Sequence, residues 1–384
     1  MTFLLIIYTI AASALFLYSI VMIRYTISWK NLAVYKNNSA MQPSTYISII
    51  IPVRNEEKHL EDCLNSLRSQ DYPSRLFEIL VINDNSTDQS ALLSDRFFKK
   101  NPSISGRLIN LKEDGGGHGK KIAITKGVQN ANGKLIITTD ADCTANKLWI
   151  RTIAEFYEEN GPKLIAGPVL LKGFKSIFQK IMELEFIGLM AATASAINQS
   201  KPIMCNGANL AFEKEAFIDV GGYHGNDNIL SGDDVFLLVK IHQAFPGKIL
   251  FLKSKNGLVH TSNNPGLSDF VAQRSRWVSK VRMISDSNTL FVAFVIYLCN
   301  FMVLFNMITW LINPNYNGTF LFIIFGIKCI IDYLFLNLAS RYFEKGNLMR
   351  YFIPAEFLNL FYVTFIGIFG NLATNKWKER NVLQ

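Results

Sequence analysis

The sequence predicts an α/β domain, a mostly parallel Rossmann-like sheet with helices on both faces, joined to transmembrane helices. Three observations lead there. Apolar strands alternate with helix-spaced segments between residues 45 and 140, both ends of the chain carry long uncharged stretches, and polar clusters recur at the C-terminal ends of the strands. Buried strands that alternate with helices pair in parallel, because each connection crosses back over a sheet face.

Residues 1–23 hold no charge, enough at about 1.5 Å per residue to cross a bilayer core. No positive residue precedes this core, it exceeds the length of a signal-peptide core, and Arg24, Lys30 and Lys36 follow it. That is the pattern of an uncleaved anchor whose following domain faces the cytoplasm. Tyr46 to Ile51 is a continuous apolar strand closed by Pro52, and Leu60, Leu64 and Leu67 stand at helical spacing within 56–69. Phe77 to Ile82 predicts a second strand, and the Ser and Asp residues of 83–88 suit the start of a helix over 89–99. A third strand near 107–111 leads to a glycine-rich loop and a helix over 121–130. Gly115-Gly116-Gly117-His118-Gly119-Lys120-Lys121 is not a Walker loop, since Asp114 replaces the first glycine and Lys121 the final Ser or Thr. The fourth strand, 134–139, ends at Asp140.

Residues 173–198 are apolar with few charges, which predicts a helix in the core or on a membrane surface. A second uncharged stretch runs from Ser287 to Ile327, broken only by the turn-forming residues 313–318. Lys328 and Asp332, four apart, would pair on one helix face. Residues 351–373 carry only Glu356 and would span, or re-enter given Pro354 and Glu356. Arg274, Arg276, Lys280 and Arg282, with Arg341, Lys345 and Arg350, agree with a soluble domain on the cytoplasmic side; Lys376, Lys378 and Arg380 oppose it if the last segment spans. The expected organisation is an anchor over 1–24, a domain over 45–282 and a membrane region over 287–375 with two or three spanning helices, in a multi-pass protein of the cell membrane.

The formal charge of +9 invites a nucleic-acid partner, but much of it flanks membrane segments, where it sets topology and meets anionic lipid, and no nucleic-acid motif is present. Cys63, Cys143, Cys205, Cys299 and Cys329 have no metal-like spacing and read as buried thiols in a reducing compartment.

In parallel sheets ligands bind at the carboxyl ends of the strands. Pro52-Val53-Arg54-Asn55-Glu56-Glu57, Asp84 and Asp140-Ala141-Asp142 all fall there, so three clusters converge on one crevice. Two carboxylates one residue apart can share a divalent cation. Mg²⁺ and Mn²⁺ take few protein carboxylates and complete their shell with water and phosphate oxygens, which points to a nucleotide diphosphate ligand.

In order along residues 45–282, the motifs resemble the inverting glycosyltransferases of family 2 with the GT-A fold, similar to cellulose and hyaluronan synthases and ceramide glucosyltransferase-like enzymes. Pro52-Val53-Arg54-Asn55-Glu56 resembles the opening Pro-x-x-Asn-Glu, and Asn83-Asp84-Asn85-Ser86-Thr87-Asp88 the Asp-Asp-Gly-Ser-Thr-Asp segment. Gly119-Lys120-Lys121 resembles Gly-Lys-x, Asp140-Ala141-Asp142 the metal motif, and Asn206-Gly207-Ala208-Asn209 with Gly221-Gly222-Tyr223 the acceptor-side segment. Gly232-Asp233-Asp234 stands where the family has Gly-Glu-Asp, and Gln273-Arg274-Ser275-Arg276-Trp277 matches Gln-x-x-Arg-Trp. Asn83 and Asp233 depart from the pattern, leaving Asp84 alone for the base and ribose.

The resemblance implies that Pro52, Val53, Arg54, Glu56, Asp84, Lys120, Lys121, Asp140, Ala141 and Asp142 bind the nucleotide-sugar. Asp142 would be the principal ligand of Mg²⁺ or Mn²⁺, with Asp140 turned toward the ribose. Asp234 would be the general base, with Asp233, Gln273, Arg274, Arg276 and Trp277 on the acceptor or diphosphate side. Taken without the resemblance, Asp233 and Asp234 are also acids suited to a helix N-terminus. The expected activity is transfer of a sugar from a UDP- or GDP-sugar to a membrane-associated lipid or glycan. A processive polysaccharide synthase subunit and a non-catalytic nucleotide-sugar-binding scaffold are the alternatives.

Overall fold

The computed structural model describes residues 2–111, 118–173, 176–225, 232–262, 266–281, 286–313, 318–369, 376–377 and 380–381. The chain forms two compact units: a sheet unit of Ala33–Gly173, Ile197–Asn263 and Lys376–Gln384, and a helical unit of Met1–Leu32, Phe174–Ala196 and Asn264–Asn375.

The sheet unit is built on β1 (Ile47–Val53), β2 (Phe77–Asn83), β3 (Gly106–Asn110) and β4 (Leu135–Thr138), in the parallel order β3-β2-β1-β4. Crossovers are α2 (Leu60–Arg68), α3 (Ser90–Lys100) and α4 (Lys120–Asn130). These strands are continuous apolar runs because both faces are covered: Ile49, Ile50, Ile51, Leu80, Val81 and Ile82 are wholly buried. The register sets Val53 beside Asn83, Asn83 beside Asn110, and Ile50 beside Thr138, so the carboxyl ends finish level. At the other end, buried Glu78 accepts from Ser48 Oγ at 2.7 Å and Asn132 N–H at 2.6 Å, closing the entry into β4.

Beyond β4 the sheet becomes mixed. β8 (Leu210–Glu213) runs antiparallel to β4 and to β6 (Leu164–Ala166), and β9 (Ile249–Phe251) pairs parallel with β6. A second sheet joins β5 (Cys143–Ala145), β10 (Val259–Thr261) and β7 (Val169–Leu171), with Thr261 opposite Cys143. α5 (Trp149–Asn160), α7 (Lys214–Asp219) and α8 (Asp233–Ala244) complete this unit.

The helical unit holds α1 (Thr2–Asn31), α6 (Ile177–Asn198), α9 (Leu267–Val281), α10 (Ser287–Ile312), α11 (Gly318–Tyr342) and α12 (Phe352–Phe369). Among the described residues five helices are long and apolar enough to cross a membrane. Four of them answer to the uncharged segments of the sequence. The fifth is α6, largely buried, with Leu184, Ile187, Ala191 and Ala194 fully enclosed. Leu5, Phe16, Ile312, Phe322, Ile330 and Phe365 are instead exposed, giving the other four apolar outer faces. α11 runs on past Ile327 through Lys328 and Asp332, because that pair closes at 2.8 Å and carries no unbalanced charge outward.

The two compact units cut across the sequence order. α6 and α9, placed by sequence within the domain over 45–282, belong to the helical unit. Phe270 of α9 meets the rings of Phe178 and Tyr362 edge-on at 5.7 and 5.3 Å, and Arg274 pairs with Glu185 of α6.

Candidate active site

Two turns at the ends of β1 and β2 lock each other. Asp84 N–H donates to Val53 O at 2.8 Å, and Arg54 Nη1 donates to Asp84 O at 2.9 Å. Asn55 and Asn85 take positive φ of 53° and 52°, tolerated in asparagine because its side chain bonds locally. Asn55 Oδ1 accepts from Thr87 N–H at 2.8 Å, Ser86 Oγ accepts from Asn55 N–H at 3.1 Å, and Ser90 Oγ accepts from Glu56 N–H at 2.8 Å. Asn83 accepts from Ser86 N–H and donates to Asn110 Oδ1, a double use that an ionised acid could not make.

Asp84 is 2% exposed, and its Oδ2 accepts from Gly119 N–H at 3.0 Å. It thereby anchors the start of α4 and sends Lys120 and Lys121 in different directions. Lys121 is 4% exposed, with its ammonium 4.3 Å from the centre of the Phe236 ring. Lys120 Nζ lies 2.7 Å from Asp140 Oδ1 and 3.5 Å from Asp233 Oδ2. Burial alone would lower the Lys120 pKa, but the Asp140 and Asp233 carboxylates outweigh it and hold the group well above the usual lysine value. Lys120 is therefore a permanent cation joining two predicted clusters.

Asp233 and Asp234 open the first turn of α8, behind Gly232 at φ 85°, so the helix-terminus reading and their inclusion in the cluster both hold. Asp234 Oδ1 accepts from Val235 N–H at 2.9 Å, and its carbonyl accepts from Cys205 Sγ at 3.4 Å. Repulsion between Asp233 and Asp234 is countered by Lys120, which sequence spacing alone does not reveal.

Gly207 sits against this group. A Cβ there would stand 3.1 Å from Asp233 Oδ2 and 3.2 Å from Lys120 Nζ. Thr138 Oγ1 of β4 donates to Gly207 O at 2.8 Å, and Asn206 caps the short turn by accepting from Ala208 N–H at 3.0 Å. Asn209 serves the scaffold instead. Buried, it donates to Pro168 O and Gly257 O and accepts from Trp149 Nε1.

Asp142 is held from the small sheet. Its Oδ2 accepts from Thr261 Oγ1 at 3.3 Å, its carbonyl accepts from Ser262 Oγ and N–H, and Cys143 Sγ approaches Oδ1 at 3.4 Å. Burial, then the Asp142 and Asp140 carboxylates, push the Cys63 and Cys143 thiols up, so both are inert neighbours. Among the described residues no three His, Cys, Asp or Glu side chains gather to hold a metal unaided. Asp140 and Asp142 nevertheless fit a hard cation that takes one or two protein carboxylates and draws its other ligands from substrate and water, since Asp140 is 37% exposed.

The structure thus groups Asp84, Lys120, Asp140 and Asp233, with Asp234 next to Asp233. Pro52, Val53, Arg54 and Glu56 support the adjoining turn, while Ala141 is 2% exposed and packs inward. Gln273, Arg274, Arg276 and Trp277 stand on α9 in the helical unit, where Arg274 is 5% exposed and lies 4.1 Å from the Trp277 ring. The glycine triplet 115–117 and Arg282 lie outside the described residues. Gly207, which the sequence shows only as part of the acceptor-side segment, and Cys205 are further members of the site; a glycine between Asn206 and Asn209, ahead of a strand, is the only signal.

Comparison with known proteins fits this arrangement. The Glycosyl transferase family 2 pattern matches residues 48–221, and that of Glycosyl transferase family group 2 matches residues 135–364. A probable glycosyltransferase of Bacillus subtilis, YdaM, is 24% identical over 56% of this chain and 50% of its own length. A poly-beta-1,6-N-acetyl-D-glucosamine synthase of Staphylococcus epidermidis is 29% identical over 51% of this chain and 45% of its own length. The chain therefore spans at most about half the length of these curated relatives. The mannosyltransferase PcManGT of Pyrobaculum calidifontis, solved with GDP-Man and Mn²⁺, superposes with a TM-score of 0.60 at 16% identity, over 92% of this chain and 99% of that one, and so shares the fold. The motifs, the mixed sheet with its acids at the strand ends, and a pattern match over more than half of the sequence make one conclusion: the chain belongs to glycosyltransferase family 2.

Proposed function

We propose that this protein is a membrane-bound, divalent-cation-dependent inverting glycosyltransferase that moves a sugar from a nucleotide-sugar to a lipid or glycan acceptor at the membrane. One observation carries it: Lys120 bridges Asp140 of the donor-side motif and Asp233, the neighbour of Asp234 on the acceptor side. In this reading Asp234 takes the proton from the acceptor hydroxyl. The acceptor oxygen then bonds to the anomeric carbon as the bond to the diphosphate oxygen breaks, and the nucleoside diphosphate leaves with the electron pair. Asp142, with Asp140, would hold Mg²⁺ or Mn²⁺, which would supply Lewis-acid stabilisation of the leaving diphosphate. Lys120 adds a fixed positive charge beside it. Asp84 shapes the nucleotide end through Gly119 rather than by an exposed carboxylate. Arg276 and Trp277 of α9 serve the acceptor or diphosphate, and the catalytic unit faces the cytoplasm, where nucleotide-sugars are made. That PcManGT was solved with GDP-Man and Mn²⁺ supports the donor class and the cation.

The test is turnover of purified protein in detergent with UDP- and GDP-sugars, Mn²⁺ and membrane lipids, followed by nucleoside diphosphate release. Asp234→Asn is expected to lower release by roughly 10²- to 10⁴-fold with nucleotide binding kept. Equal turnover removes Asp234 as the base, and binding without turnover by wild type favours a scaffold. Likeness to a poly-N-acetylglucosamine synthase supports a second reading, a processive synthase, which product length would distinguish.

A further inference from the structure

Within the helical unit, Lys328 of α11 is fully buried between two carboxylates. Its Nζ donates to Asp332 Oδ2 at 2.8 Å and to Glu356 Oε2 of α12 at 2.6 Å. Tyr18 of α1 donates its hydroxyl to Asp332 Oδ1 at 2.6 Å, and the single Lys328 ammonium holds the Asp332 and Glu356 carboxylates on either side of it. Asp332 and Glu356 are 4% and 3% exposed, on helices whose outer faces are apolar. The charge count does not close if every group is ionised: one ammonium faces two carboxylates, leaving a net negative charge sealed in an apolar interior, which is strongly disfavoured. Two carboxylates that share one ammonium in an apolar interior cannot both remain ionised unless a further cation joins them.

We propose that this junction of α1, α11 and α12 is a binding site for one proton, carried by Glu356 and shared with Asp332. The neutral Glu356 carboxyl donates its O–H to Asp332 and accepts from Lys328 through Oε2. Asp332 stays ionised, accepting from Tyr18, Lys328 and Glu356. Every polar atom then has a partner and the net charge is zero. The charged and titratable groups facing Glu356 are Lys328, Asp332 and Cys329 from α11 and Tyr18 from α1, with Cys299 of α10 and Tyr362 of α12 near them. Loss of the proton restores the unbalanced charge and loosens α12 from α11.

Infrared spectroscopy of the full chain in phosphatidylcholine nanodiscs tests this. Wild type is expected to show the carbonyl stretch of a neutral carboxylic acid, and Glu356→Gln, an isostere of the protonated group, to lose it while melting like wild type. Asp332→Asn provides an independent reading should that variant fail to fold: Lys328 then has one carboxylate, Glu356 ionises, and the same band disappears. Lys328→Met should strengthen the band, since both carboxyls must become neutral. A band unchanged by Glu356→Gln, or kept in Asp332→Asn, overturns the proposal. So does a wild type without the band whose melting temperature rises with sodium at constant ionic strength, which would give the place to a metal cation.

Discussion

Two lysines in this protein each sit between two carboxylates, and the surroundings give them opposite uses. Lys120, Asp140 and Asp233 have side chains 19%, 37% and 9% exposed; Lys328, Asp332 and Glu356 are 0%, 5% and 4% exposed. The first trio comes from a helix start, a strand end and a second helix start, and is reached by water. A ligand can exchange for one member of it. The second is enclosed by helix faces that hydrogen-bond all members, so nothing enters without breaking the packing. The same set of groups therefore marks a reactive place where it opens and a structural charge balance where it is sealed.

The largest test of that contrast is substitution of the sealed lysine. Lys328→Met should cost about 3–5 kcal/mol of stability, read from thermal or denaturant unfolding in detergent, while nucleoside diphosphate release per folded molecule stays near wild type. Lys120→Met should do the reverse. Release should drop about 100-fold, as for removal of a fixed donor beside developing charge, with stability changed by no more than about 1 kcal/mol because the pair is part-exposed. If Lys328→Met silences a fully stable protein, or Lys120→Met unfolds it, the two sites have been assigned the wrong way round.

Gly207→Ala sharpens the open side. The new Cβ presses on Asp233 and Lys120 from 3.1 and 3.2 Å, and these side chains can yield by a few tenths of an ångström. Displacing groups of the proposed site is costly out of proportion to the distance, so turnover should fall about tenfold. Stability should move by less than about 0.5 kcal/mol, since nothing in the core is disturbed. A turnover equal to wild type would show that the spacing of Lys120 and Asp233 is not critical.

Much of the open site was legible because parallel strands finish level: once β1, β2 and β4 were read from Ile49–Ile51, Leu80–Ile82 and Leu135–Ile137, the acids following them had to meet. Asp233 and Lys120 were legible as members but not as partners, for nothing in their spacing says that an ammonium reaches across. Gly207 was legible as part of the acceptor-side segment but not as a close neighbour of Lys120 and Asp233, since that is a distance to side chains elsewhere in the chain. Glu356 left spanning and re-entry both open, because its partner could not be read locally: its charge is met by Lys328, 28 positions earlier, in a helix long and apolar enough to cross. Tyr18, 314 positions from Asp332, could not be paired by any local rule. α6 was ambiguous because a nearly uniform apolar helix reads alike in a core and in a bilayer.

The smallest effect concerns the turn beside the open site. Burial would push the Asp88 carboxyl up, but the Ser90 hydroxyl and the backbone N–H groups of Glu57 and Ser90 hold it below the usual carboxylate range. Asp88 Oδ2 accepts from Glu57 N–H at 3.0 Å, and Glu57 Oε2 accepts in return from Gln89 N–H at 3.1 Å, tying the β1 turn to the start of α3. A carboxyl lowered on folding contributes stability above its unfolded value of about 3.9 and loses it as pH falls through the lower, folded value. Asp88→Asn keeps the shape and removes the charge, so near pH 7 it should cost no more than about 1 kcal/mol, discounted because the group is part-exposed and screened by water. The gap in melting temperature between wild type and variant should close progressively as the pH drops below about 4. A gap that stays constant down to about pH 3 would mean that the amide geometry, and not the carboxylate charge, ties the two turns together.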